Sequence, residues 1–123
     1  MKADIETRAD IEKLINTFYD KVTVDPVIGY FFTEVVKVNW EKHLPIMYSF
    51  WESIVFHRGV YDGNPMEKHQ KLNEKSPLKM EHFNRWTELF NLTTDELFEG
   101  EKAENIKQRA MSIATVMQIK LFR

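Results

Sequence analysis

The chain contains no cysteine. That absence removes disulfides, thiolate metal sites and iron–sulfur clusters, so any bound metal must be held by His, carboxylate, Tyr or Met. Glycine and proline are scarce, with four of each. That is too few for an all-β domain, which needs a turn between each pair of strands. No charge of one sign dominates. The formal net charge is −2, which provides no electrostatic footprint for nucleic acid or an anionic membrane. Long apolar runs are also missing. The longest, Ile46 to Trp51, is interrupted by Ser49 and is too short to span a bilayer. The N-terminus, MKADIETRAD, is polar and charged and does not read as a signal peptide. No nucleophile motif, phosphate loop, H-E-x-x-H or calcium loop occurs. Internal repeats and low-complexity segments are absent as well. The expectation is a cytoplasmic monomer with one domain spanning 1–123, without nucleic acid or membrane partners.

What is present is aromatic. Nine Phe, four Tyr and three Trp, within 43% hydrophobic residues, suffice for a core in 123 residues. The apolar residues recur at helical spacing. From Thr7 to Val22, Ile11, Leu14, Ile15, Phe18 and Val22 share one face and charged residues the other. Tyr19 flanks the apolar face and can point inward. Asp4 or Thr7 can cap this helix. Asp25-Pro26 is a helix start signal, an N-cap followed by Pro at the first helical position, and a short apolar turn or two follows with Val27, Ile28, Phe31 and Phe32. Asn39 can cap a helix bearing Trp40, His43, Met47, Phe50, Trp51 and Ile54, ending near Arg58-Gly59. The pattern then breaks at Tyr61 to Pro65. A short helical piece follows, with Met66 and His69 on one side and Leu72 as a further candidate. Ser76-Pro77 reads as the start of a helix presenting Phe83, Trp86, Leu89 and Phe90. After Gly100 a last helix carries Ile106, Ala110, Ile113, Met117 and Leu121. The class is all-α with four main helices.

Two of the four histidines are candidates for chemistry. His69 sits on a short segment with little apolar surface of its own, which a bond from imidazole to a metal would hold in place. Taken alone, a solvated His is the commoner reading. His43 lies on an apolar helix face, where a buried His needs a hydrogen-bond partner or a ligand. A satisfied core His is the plainer alternative. Tyr19 and Trp86 each carry a polar tip on an apolar body at inward positions. His57 and His82 read as surface residues.

The order and spacing of five segments resemble the truncated haemoglobins, most closely their third group. The segments are Phe18-Tyr19 with Lys21-Val22; Asp25-Pro26 followed by Gly29 and Phe31-Phe32; Trp40 with His43 and then Phe50-Trp51; Gly63-x-Pro65 leading to His69 and Leu72; and Phe83-x-x-Trp86 with Leu89-Phe90. The resemblance implies a two-on-two helical sandwich around a haem, with the first and third stretches paired across it from the last two helices. His69 matches the proximal iron ligand. Phe32 matches the aromatic that packs on the porphyrin, and Leu72 joins the cofactor-binding set. Tyr19, His43, Met47 and Trp86 match the distal pocket. The glycine pairs that mark the first group are missing, which argues against a ligand tunnel of that group's kind.

The cofactor so implied is haem b, iron protoporphyrin IX, held non-covalently because there is no C-x-x-C-H. Its ligands would be oxygen, carbon monoxide and nitric oxide. Several donors beside the sixth position suit redox chemistry better than easy release, such as nitric oxide dioxygenation or a peroxidase-like reaction. Either would need a reductase partner, since the chain has no flavin or nicotinamide motif. A simple oxygen storage or sensing globin is the near alternative. A non-haem helical interaction protein or a di-histidine metal protein is the distant one.

Overall fold

The computed structural model describes residues 2–32, 40–56 and 79–121, the last stretch with side chains to residue 118. Among the described residues there are four helices and no strand. They are α1 (Arg8–Thr23), α2 (Trp40–Phe56), α3 (Met80–Leu97) and α4 (Glu101–Leu121). None is long and apolar enough to cross a membrane.

Helix α1 buries the face that its periodicity predicts: Ile11, Leu14, Ile15, Phe18 and Val22. Thr7 is its N-cap. The Thr7 hydroxyl accepts the Asp10 N–H at 3.4 Å, and Asp10 Oδ2 accepts the Thr7 N–H at 3.1 Å, a reciprocal capping box. Asp4, the other expected cap, serves a different helix. Its two carboxylate oxygens accept the N–H groups of Lys102 and Ala103, each at 2.9 Å, at the start of α4. Gly100 stands at that corner with φ 147°, and a Cβ there would come within 2.5 Å of Asp4 Cγ. Only glycine fits both the backbone angle and the space. Ile5, beside the cap, is fully buried.

The start of α3 differs from the expectation at Ser76-Pro77. The N-cap is Lys79, with extended backbone. His82, three residues on, sets this start by accepting the Lys79 N–H on Nδ1 at 2.9 Å. A side-chain acceptor at that position satisfies a donor that the helix itself cannot. Asn39, proposed as a cap for α2, lies outside the described residues; α2 begins at Trp40. Inside α2, Pro45 removes one backbone hydrogen bond and faces solvent.

Helix α1 packs on α2 and α3, α3 on α4, and α2 on α4. This is the two-on-two arrangement. The buried residues form a shared core with Phe18, Trp51 and Phe90 among its aromatics. Across the α1–α2 contact, the Tyr48 hydroxyl donates to Asn16 Oδ1. Arg8 Nη1 also stands 3.6 Å from the buried Glu52 carboxylate, an ion pair too long to be a hydrogen bond.

Candidate functional site

Four rings from three segments meet at one side of the core. Tyr19 comes from α1, Phe32 from the short helical segment that follows the turn after it, and Trp40 and His43 from the first turns of α2. The Tyr19 ring lies 5.8 Å from Phe32, 5.2 Å from Trp40 and 5.7 Å from His43, centroid to centroid. Phe32 stacks on Trp40 at 6.1 Å and 23°. Trp40 meets His43 edge-on at 5.6 Å. A second ring cluster adjoins. Phe18 touches Tyr19 at 5.0 Å and Trp86 at 5.7 Å, and Trp86 stacks on Phe90 at 5.6 Å. Met47, one helical turn past His43, is half-buried against the same core.

Tyr19 is half-buried. Burial pushes its pKa above the ordinary phenol value, so it stays a neutral O–H. His43 Nε2 is buried.

No family model matches the chain. It is 30% identical to a group 3 truncated hemoglobin of Campylobacter jejuni over 126 residues, covering 100% of this chain and 97% of that protein. The crystal structure of a group III truncated hemoglobin from Campylobacter jejuni aligns with a TM-score of 0.83 at 30% identity, covering 98% of this chain and 95% of that one. The chain belongs to the group III truncated haemoglobins. It is a globin-type haem protein.

The described part of this truncated haemoglobin fits a haem chemically. A flat apolar macrocycle needs apolar walls, and Phe32, Met47, Phe50 and Ile54 are half-buried at the edge of the core. A bound diatomic ligand with partial negative charge needs donors, and Tyr19, His43 and Trp86, with Trp40, are polar-tipped side chains there. His69 and Leu72 lie outside the described residues, as does His57. Among the described residues no group of three His, Asp or Glu could hold a metal ion.

Reading the sequence missed three features of this region. Trp40 belongs to the ring cluster itself; its signal was its place three residues before His43 on one helix face. His82 is buried, not a surface residue. Its ring packs edge-on against Phe31 at 4.7 Å, and its Nδ1 accepts the N-cap N–H. Burial pulls its pKa below the ordinary value, with Lys79 helping and Glu81 opposing. The third is the buried Asp25 carboxylate, paired with Arg85. Burial alone would raise its pKa. The Arg85 hydrogen bond, the N–H groups of Val27 and Ile28 and the guanidinium charge outweigh that and hold it below the usual carboxylate value. No local sequence pattern joins residues 60 apart.

Proposed function

We propose that this protein holds haem b non-covalently through His69 and binds oxygen and other diatomic ligands beside Tyr19, His43 and Trp86. The observation that carries the reading is the neutral Tyr19 phenol, its ring flanked by those of Phe32, Trp40 and His43. Placing a hydroxyl among three aromatic rings costs free energy unless it meets a hydrogen-bond acceptor. When bound, haem iron held by one neutral imidazole supplies an open sixth position for a diatomic ligand.

The chain's own residues do the rest. Tyr19 keeps its proton at Oη and donates. Trp86 Nε1–H can only donate. His43 can donate or accept, according to tautomer. Phe32 and Met47 exclude water on the cofactor's flank, and this low-dielectric setting strengthens each donor. Several donors favour retention and activation of a ligand over release. Redox chemistry on oxygen, nitric oxide or peroxide is therefore preferred to storage or sensing, with electrons from an external reductase. The same reading has the protein act as a single-domain, cytoplasmic monomer.

The test is spectroscopic. Protein purified with haem is expected to show a Soret band and a mainly five-coordinate ferrous form. His69→Ala is expected to lose most of its haem or show an altered, weakly ligated spectrum. A His69→Ala protein that retains the wild-type five-coordinate ferrous spectrum refutes the proximal assignment. Absence of any Soret band after haem addition supports the non-haem helical reading.

A further inference from the structure

The segment that carries Phe32 and the helix that carries Trp86 are joined through a buried carboxylate. Asp25 opens the turn, and its side chain is 2% exposed. Its Oδ2 accepts the N–H groups of Val27 and Ile28 at 3.0 and 3.2 Å. Its Oδ1 takes Nε and Nη2 of Arg85 at 2.8 and 2.7 Å. With both oxygens engaged, the carboxylate cannot rotate without losing a partner. Arg85 is the residue before Trp86 on α3. The turn is also pressed against the end of α1, the Tyr19 helix. A Cβ on Gly29 would come within 2.8 Å of the Thr23 carbonyl oxygen and 3.0 Å of that of Val22. The ion pair thus sits where the elements bearing Tyr19, Phe32 and Trp86 converge.

We infer that Asp25 and Arg85 are a positioning pair for the ligand site: they set the spacing of Phe32 and Trp86, and so the aim of the donors at the ligand. This rests on the haem reading above. The physical basis is twofold. The Asp25 carboxylate is buried and is held by two amides and a two-pronged guanidinium contact, so its geometry is firm although the Arg85 side chain is 31% exposed. Donor aim also matters steeply, because small displacements from remote changes alter rates strongly. The pair differs from the Lys21–Glu96 contact between α1 and α3, 3.0 Å long, in its anion: the Glu96 side chain is 51% exposed and that of Asp25 2%, while the cations are alike at 30% and 31%, so the Lys21–Glu96 contact is the more screened by solvent.

The experiment compares Arg85→Met, Arg85→Lys and Lys21→Met with wild type, all loaded with haem. Stopped-flow dissociation of oxygen and of carbon monoxide is measured. Arg85→Met is expected to raise the oxygen rate about five- to tenfold while leaving the carbon monoxide rate nearly unchanged. Arg85→Lys restores a charge donor and returns the oxygen rate toward wild type. Lys21→Met leaves both rates alone. An oxygen-to-carbon-monoxide ratio in Arg85→Met equal to that of wild type overturns the proposal, whatever happens to stability. If Arg85→Met does not fold, Asp25→Asn, which keeps an oxygen for the two turn amides, is judged by the same ratio. If no variant or wild type takes up haem, the haem reading itself has failed. The pair is then judged on the haem-free protein by NMR. There the Trp86 indole N–H resonance moves on Arg85→Met if the pair positions that ring, and an unmoved resonance overturns the inference.

Discussion

In the proposed reading, the hydroxyl of Tyr19 and the indole N–H of Trp86 are the smallest units on which ligand chemistry depends. Tyr19→Phe removes the hydroxyl and leaves the ring contacts with Phe32, Trp40 and His43 in place. Trp86→Phe removes the N–H and keeps an aromatic body against Phe18 and Phe90. Bound oxygen carries partial negative charge, and carbon monoxide carries much less. A hydrogen bond to a charged acceptor contributes about 1.5–3 kcal/mol, so losing one should speed oxygen release by roughly ten- to a hundredfold. Stopped-flow measurement of both ligands checks this. Equal shifts for oxygen and carbon monoxide would mean that the side chains act by shape alone. The two effects need not add, since the donors share one acceptor. At this scale the residue types were legible. Tyr19, His43 and Trp86 drew notice as polar tips at inward helical positions, but each alone reads as ordinary core, and it is the family resemblance that implies a distal pocket. Trp40 could not be separated from ordinary core, because a Trp has the same pattern whether it packs on Leu or on Tyr19.

Helix α3 shows how one side chain sets an element's boundary. His82 Nδ1 accepts the Lys79 N–H, so the neutral tautomer carries its proton on Nε2. Protonation would put a second proton on Nδ1, facing that N–H, and the cap would be lost. Burial lowers the folded-state pKa below the ordinary 6.5, so between the two values the unfolded chain binds more protons. The stabilising contribution is therefore present above about pH 6.5 and is lost as pH falls below it. Thermal unfolding should show Tm falling as pH drops from about 7 to about 5. In His82→Asn, whose side-chain oxygen accepts the same N–H without titrating, that part of the slope should vanish. A wild-type Tm flat across this range would remove His82 as the cause. Helix existence was readable from apolar spacing. The start of α3 was not, because Ser76-Pro77 is a good local signal and the contact that overrode it depends on His82 being buried against Phe31.

Across the whole molecule, Asp4 ties the beginning of the chain to its last helix. It accepts two N–H groups at the start of α4, 98 and 99 residues away, while the Ala3 carbonyl accepts the Glu99 N–H at 3.0 Å. Asp4→Ala should cost about 1 kcal/mol, or roughly 4 °C in Tm for a domain of this size. Asp4→Asn should cost less at neutral pH. Burial would raise the Asp4 carboxyl pKa, but the N–H bonds from Lys102, Ile5 and Ala103 and the Lys102 charge bring it below the ordinary 3.8. Its contribution is thus present above that value and fades as pH falls through the lower folded one. An Asp4→Ala protein with unchanged Tm would show the cap to be immaterial. The sequence by itself determined the class, the four amphipathic helices and the inward residue types, because periodicity and capping chemistry are local properties. Tertiary structure alone decided which helix Asp4 caps, why Gly100 must be glycine, that His82 is buried, and that Asp25 meets Arg85. Each of these pairs groups that the chain separates but the packed core brings within hydrogen-bond or van der Waals distance.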